Sequence, residues 1–173
     1  KYGASFEVYL YSYLQPFIFM NPSMSSYDFL TLAHEFGHFC NDFASFGSVA
    51  GIDVAEIFSQ GMEYLSLFYA EGGEDLEKLK LLDSLCVFVE QSAYAEFERR
   101  AYELPEEELT AENLVSLFSQ VCNEFGLGDY GVDALFFVQI THFFTNPKYV
   151  FSYVVSNDAA MQLYQLELDT PGS

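Results

Sequence analysis

The chain has 173 residues, 51% of them apolar, and carries 13 Tyr and 19 Phe, a length and composition that suit one domain with its own core. Six basic residues against 26 acidic ones give a net charge of −20, so a nucleic-acid phosphate backbone is not an expected partner. The acidity reads as a solvated surface, with a preference for cationic substrates as the other reading. Apolar runs such as Phe136–Ile140 are far shorter than the roughly 20 residues of a membrane span, so no membrane association is expected.

Residues 5–20 are rich in Tyr, Phe, Val and Ile, alternate in part, and are broken by Pro16. They read as one or two strands, with the proline at an edge or bend. Ser25-Ser26 is the expected N-cap of a helix over Tyr27–Ala44, with apolar residues at Phe29, Leu30, Leu32, Ala33, Phe36, Phe39 and Phe43. A link from Gly47 to Gly51 leads to Asp53, the expected cap of a second helix that runs to Gly72-Gly73. A third helix is expected from about Asp75 to Glu103, stopped by Pro105 and followed by an acidic linker. Thr110 should cap a fourth, ending near Gly126; a fifth should cover Val132–Phe144; and Asn146-Pro147 should open a sixth with the proline in its first position. The expected fold is mainly α: about six helices with a small β-strand element before the first. The chain starts at Lys1 and runs straight into patterned sequence, as an excised piece of a longer chain would.

Cys40, Cys86 and Cys122 are odd in number and lack a C-x-x-C pair, so they read as small core residues in a reducing compartment, which points to the cytoplasm. The first helix contains His34-Glu35-Phe36-Gly37-His38. Residues four apart share a helix face, so the two histidines can hold one metal ion while Glu35 stands beside it to take a proton from water. A third ligand has to come from elsewhere. In the second helix Glu56, Ser59 or Gln60, and Glu63 recur on one face. Glu56 is either a ligand or the partner of Asp53 in a capping box, and Glu63 is either part of the site or an exposed carboxylate. Tyr149 and Tyr153 lie four apart on a face that can overhang a site, although a core-facing Tyr149 fits as well. The chain has only three histidines, His34, His38 and His142.

The three spaced motifs, His34-Glu35-x-x-His38, Glu56-x-x-Ser59-x-x-x-Glu63, and His142-Phe143 followed by Pro147-x-Tyr149-x-x-x-Tyr153, resemble the zinc metallopeptidases that include oligoendopeptidase F and thimet oligopeptidase. The resemblance covers residues 20–155 and implies a gluzincin-like catalytic portion. It implies one Zn2+ per chain on His34, His38 and Glu56, with Glu35 as general base and His142 and Tyr153 binding substrate and steadying the oxyanion. For Glu63 it implies a second acidic position, which we assign to holding a zinc histidine in its tautomer. Short peptides are the implied substrates. Phe144 stands where such enzymes commonly carry Tyr, and the chain has no Trp, which motivates a second reading as a zinc-containing binding or structural module with weak or no catalysis. Such enzymes are also several times longer, so either self-association or completion by an amino-terminal portion is expected.

Overall fold

A computed structural model describes residues 5–48, 51–71 and 73–172. The elements follow in the order β1 (Phe6–Leu10), β2 (Gln15–Phe19), α1 (Tyr27–Ser45), α2 (Ile52–Ser66), α3 (Gly73–Glu103), α4 (Ala111–Glu124), α5 (His142–Thr145) and α6 (Tyr149–Asp169). The expected mainly helical class with a small leading sheet is found. Part of the Gly47–Gly51 link, residues 49 and 50, and the Gly72 half of the Gly72-Gly73 break lie outside the described residues.

Contacts divide the chain into two compact units, Lys1–Ser84 with Val155–Ser173, and Leu85–Val154, so that α3 and α6 each contribute to both. In the first unit β1 and β2 pair antiparallel, from Phe6 opposite Phe19 to Leu10 opposite Gln15. Pro16, which has no N–H to give a ladder, sits opposite Tyr9 and is buried. Both strands pack on α1, and α1 packs on α2. The core of this unit is Leu30, Tyr64, Leu67, Ala160 and Tyr164. The second unit is built around Tyr94, Phe97, Phe118, Val121, Phe137 and Val150, with Phe97 edge-on to Phe118 at 5.1 Å between centroids. Aromatic rings thus interlock in the second core, while others, such as Tyr69 and Phe46, stay exposed.

Several expectations are corrected. Ser26 is the α1 N-cap residue but makes no side-chain cap bond; instead Asp28 in the first turn accepts from the backbone N–H groups of Ser23 at 2.8 Å and Met24 at 2.7 Å. Gly51, not Asp53, is the N-cap of α2, and α2 ends at Ser66 in a 3-10 turn over Leu67–Tyr69. The fifth helix is broken into a 3-10 turn, Phe136–Gln139, and the four-residue α5, because Ile140 turns extended between them (φ −82°, ψ 90°). Burial of Phe137, with Phe136, Ile140 and Phe143 packed against the same core, overrides helical continuity there. Pro147 does not open α6: Lys148 takes φ 67° and gives its N–H to Glu98 Oε1 at 2.7 Å, delaying the helix to Tyr149. Thr110 does cap α4, accepting from the Asn113 N–H at 3.2 Å. Cys122 is buried and Cys40 partly so, but Cys86 is exposed rather than a core residue.

Candidate metal centre

Only part of the apolar pattern of α1 is packed inward. Leu30, Ala33, Glu35, Gly37 and Asn41 are the buried positions, while Phe29, Leu32, Phe36 and Phe43 are exposed. The face that carries Glu35 is therefore packed, and His34 and His38 stand at its margin, half-buried. Gly37 explains how α2 comes so close: a Cβ there would lie 2.3 Å from the Phe58 carbonyl oxygen and 2.5 Å from Ser59 Cα. Only a residue without a side chain allows the two backbones this approach.

That approach delivers Glu56, which is fully buried at 0% exposure; with Gly51 and not Asp53 as the N-cap of α2, the Asp53-x-x-Glu56 capping box does not form. Oε2 of Glu56 lies 3.6 Å from His34 Nε2 and 3.8 Å from His38 Nε2, and one donor atom from each of the three residues falls within 4.8 Å of the others. For a tetrahedral ion bound at roughly 2.1 Å, ligand atoms stand about 3.4 Å apart. Two imidazoles and one carboxylate at these spacings therefore fit a metal ion with a coordination position to spare. Ser59, whose hydroxyl donates to Glu56 Oε2 at 2.9 Å, restrains the carboxylate.

Glu63 is buried rather than exposed, and its Oε1 lies 2.7 Å from His34 Nδ1. A histidine that gives Nδ1–H to a carboxylate presents Nε2 with its lone pair free. Sequence reasoning missed Lys80, whose Nζ lies 2.6 Å from Glu63 Oε2, since a lone lysine on a distant helix carries no motif. Burial opposes charge on His34, but Glu63, Glu56 and Glu35 outweigh it and hold the imidazole above its ordinary value. Burial pushes His38 down. Burial would raise Glu63, yet the bonds from His34 and the charge of Lys80 hold it low.

Glu35 is buried beside this cluster, and burial raises its carboxyl, with the charge of His34 and the nearby backbone of Glu7 in β1 opposing the rise. The Glu7 carboxyl is itself pushed up to about 7 by burial and by the charges of Asp42 and Glu35.

The remaining sequence candidates form a group within the second unit. His142 opens α5 and stacks on Tyr149, with ring centroids 4.2 Å apart and planes 5° from parallel. Tyr153, one turn further along α6, has its hydroxyl 3.4 Å from His142 Nε2. All three rings are half-buried, and Phe144 is exposed.

A model of peptidase family M3 matches residues 1–169. Among solved structures, the chain is similar to a protein described as an oligoendopeptidase F, with a TM-score of 0.84 and 25% identity over 98% of this chain and 33% of that one. It is also similar to PZ peptidase A with an inhibitor, with a TM-score of 0.81 and 23% identity over 96% of this chain and 32% of that one. The chain spans about a third of the length of each. Among curated proteins no sequence matches it.

Proposed function

The chain belongs to peptidase family M3, and on that premise we propose that residues 1–173 form the catalytic portion of a zinc-dependent endopeptidase acting on short oligopeptides. The observation that carries this reading is the meeting of His34, His38 and Glu56 donor atoms within 4.8 Å, next to the buried carboxyl of Glu35. His34, His38 and Glu56 would hold the ion, and zinc there supplies Lewis acidity toward water and the scissile carbonyl. Glu35 takes the proton of the attacking water and passes it to the leaving amine. Glu63 keeps His34 Nε2 available by accepting at Nδ1. His142 and Tyr153, whose polar atoms already converge at 3.4 Å, hydrogen-bond the developing oxyanion, and Tyr149 holds the His142 ring by stacking.

An amino-terminal portion of a longer enzyme would complete the cleft, in keeping with the third of each similar structure that the chain spans. Peptides are the partners we propose, and the cytoplasm the compartment, the latter on three unpaired cysteines.

The reading is tested by elemental analysis and cleavage of a quenched peptide library. One zinc per chain is expected, lost in His38→Ala and Glu56→Ala. Glu35→Gln should keep the zinc and lose about a hundred- to ten-thousandfold in turnover, the usual effect of removing a general base. Undiminished zinc in both ligand variants, or unchanged turnover in Glu35→Gln, defeats it.

A further inference from the structure

Lys80 is 1% exposed in a chain that has only six basic residues against 26 acidic ones. Burying a cation is costly unless it is paired, and the pairing here has a direction. Its Nζ lies 2.6 Å from Glu63 Oε2, while the other oxygen of the same carboxylate, Oε1, lies 2.7 Å from His34 Nδ1. A carboxylate is a rigid plane, so a strong bond to one oxygen fixes where the other points. The ammonium is itself held in place, 3.4 Å from Asp83 Oδ2 and 5.1 Å from the centre of the Tyr64 ring. Tyr64 in turn is anchored by its hydroxyl, which meets Ser84 Oγ at 2.6 Å. A packed element, α3, thus reaches His34 through one charged link.

We infer that Lys80 is a positioning residue for the metal centre: it clamps Glu63 by Oε2 so that Oε1 accepts the Nδ1–H of His34 and Nε2 is left facing Glu56. The inference rests on the metal site proposed above. Without the ammonium, Oε2 of Glu63 has no partner of comparable strength among the described residues, the carboxylate turns to find one, and the His34 ring loses its orienting acceptor. A purely structural lysine would differ in its consequences. Its removal would lower stability through Asp83 and Tyr64 and leave the His34 ring nitrogens as they were.

The experiment uses the 173-residue chain with 15N-labelled histidine. Ring-nitrogen shifts of His34 are read without metal, and zinc affinity is read by competition with a chelator. Lys80→Met should lose the preference for the Nδ1–H tautomer and weaken zinc binding by about ten- to a hundredfold, the effect of losing a partner behind a ligand. Lys80→Gln keeps a donor for Oε2 and should recover most of both. In a Glu63→Gln background, Lys80→Met should cost no further affinity, because the lysine acts only through Glu63. Wild-type shifts and affinity in Lys80→Met, or losses that add in the double variant, overturn the inference. Should Lys80→Met not fold, the double variant, which leaves no charged Glu63 without its cation, is compared with Glu63→Gln alone: equal affinity supports the clamp and a further loss overturns it. A wild-type chain that binds no zinc would defeat the metal reading itself, and the His34 shifts without metal would still decide the clamp.

Discussion

At Tyr153 the useful atom is a single hydroxyl, 3.4 Å from His142 Nε2. If it donates to the oxyanion, its bond strengthens as charge develops, and Tyr153→Phe should lower kcat by about a hundredfold, roughly 3 kcal/mol, with little change in KM or zinc content. Tyr149→Phe should do less, since it keeps the ring that stacks on His142. Steady-state kinetics of both variants checks this; a raised KM with unchanged kcat would make Tyr153 a binding contact instead. Glu7 gives a second test at this scale. Its folded value of about 7 exceeds the ordinary 4.5, so the folded state resists the ionisation that the unfolded chain undergoes freely. Stability is therefore unaffected below about 4.5, falls as pH rises from there to about 7, and stays lower beyond. Glu7→Gln should match the wild type at low pH and melt progressively higher than it toward pH 8, read by calorimetry at fixed metal content. A gain independent of pH would remove ionisation as the cause.

The contact between α1 and α2 is where an element-scale feature controls the site. A Cβ at Gly37 would meet backbone atoms, Phe58 O at 2.3 Å, Ser59 Cα at 2.5 Å and Phe58 C at 2.7 Å, and backbone in mid-helix cannot step aside as a flexible side chain would. Gly37→Ala should force the helices apart, at a cost of about 1–3 kcal/mol or more for overpacking. It should also weaken zinc binding, because His38 adjoins Gly37 on one helix and Glu56 lies one turn from Ser59 on the other. Urea unfolding and chelator competition measure the two effects. Full stability with full zinc affinity would show that the helices tolerate a methyl group between them.

At the scale of the whole molecule two properties oppose each other. The net charge is −20, while apolar rings line the outer face of α1, where Phe36, Phe39 and Phe43 stack in a ladder with centroids 5.8 Å and 6.2 Å apart. Phe46 beyond them is 82% exposed and Tyr69 90%. Uncovered aromatic surface of this kind favours association, and like charge keeps copies apart until salt screens it. The chain should therefore be monomeric in about 0.02 M salt and self-associate in about 0.5 M, where the screening length falls to a few ångström. Light scattering at the two concentrations is the measurement, and a monomer at both would mean that this surface needs no cover.

What the sequence determined is what near neighbours in the chain decide. His34 and His38 share a helix face because they are four residues apart, Glu56 and Glu63 recur on the next helix for the same reason, and Thr110 caps α4 through a bond three residues long. Which side of α1 is packed was decided by the tertiary structure, because the pattern of Phe29, Leu32, Phe36 and Phe43 records apolarity and not what covers it. The break before α5 and the late start of α6 come from burial of Phe137 and from Glu98 capturing the Lys148 N–H. Glu56 shows the division most plainly. Its spacing allowed a helix cap or a place beside the histidines; the start of α2 at Gly51 removed the cap, and the close approach at Gly37 sets its carboxylate within 3.8 Å of both imidazoles. Lys80 reaches Glu63 across 17 residues of chain and a change of helix, a juxtaposition that no local pattern encodes, since it exists only once α2 and α3 are packed.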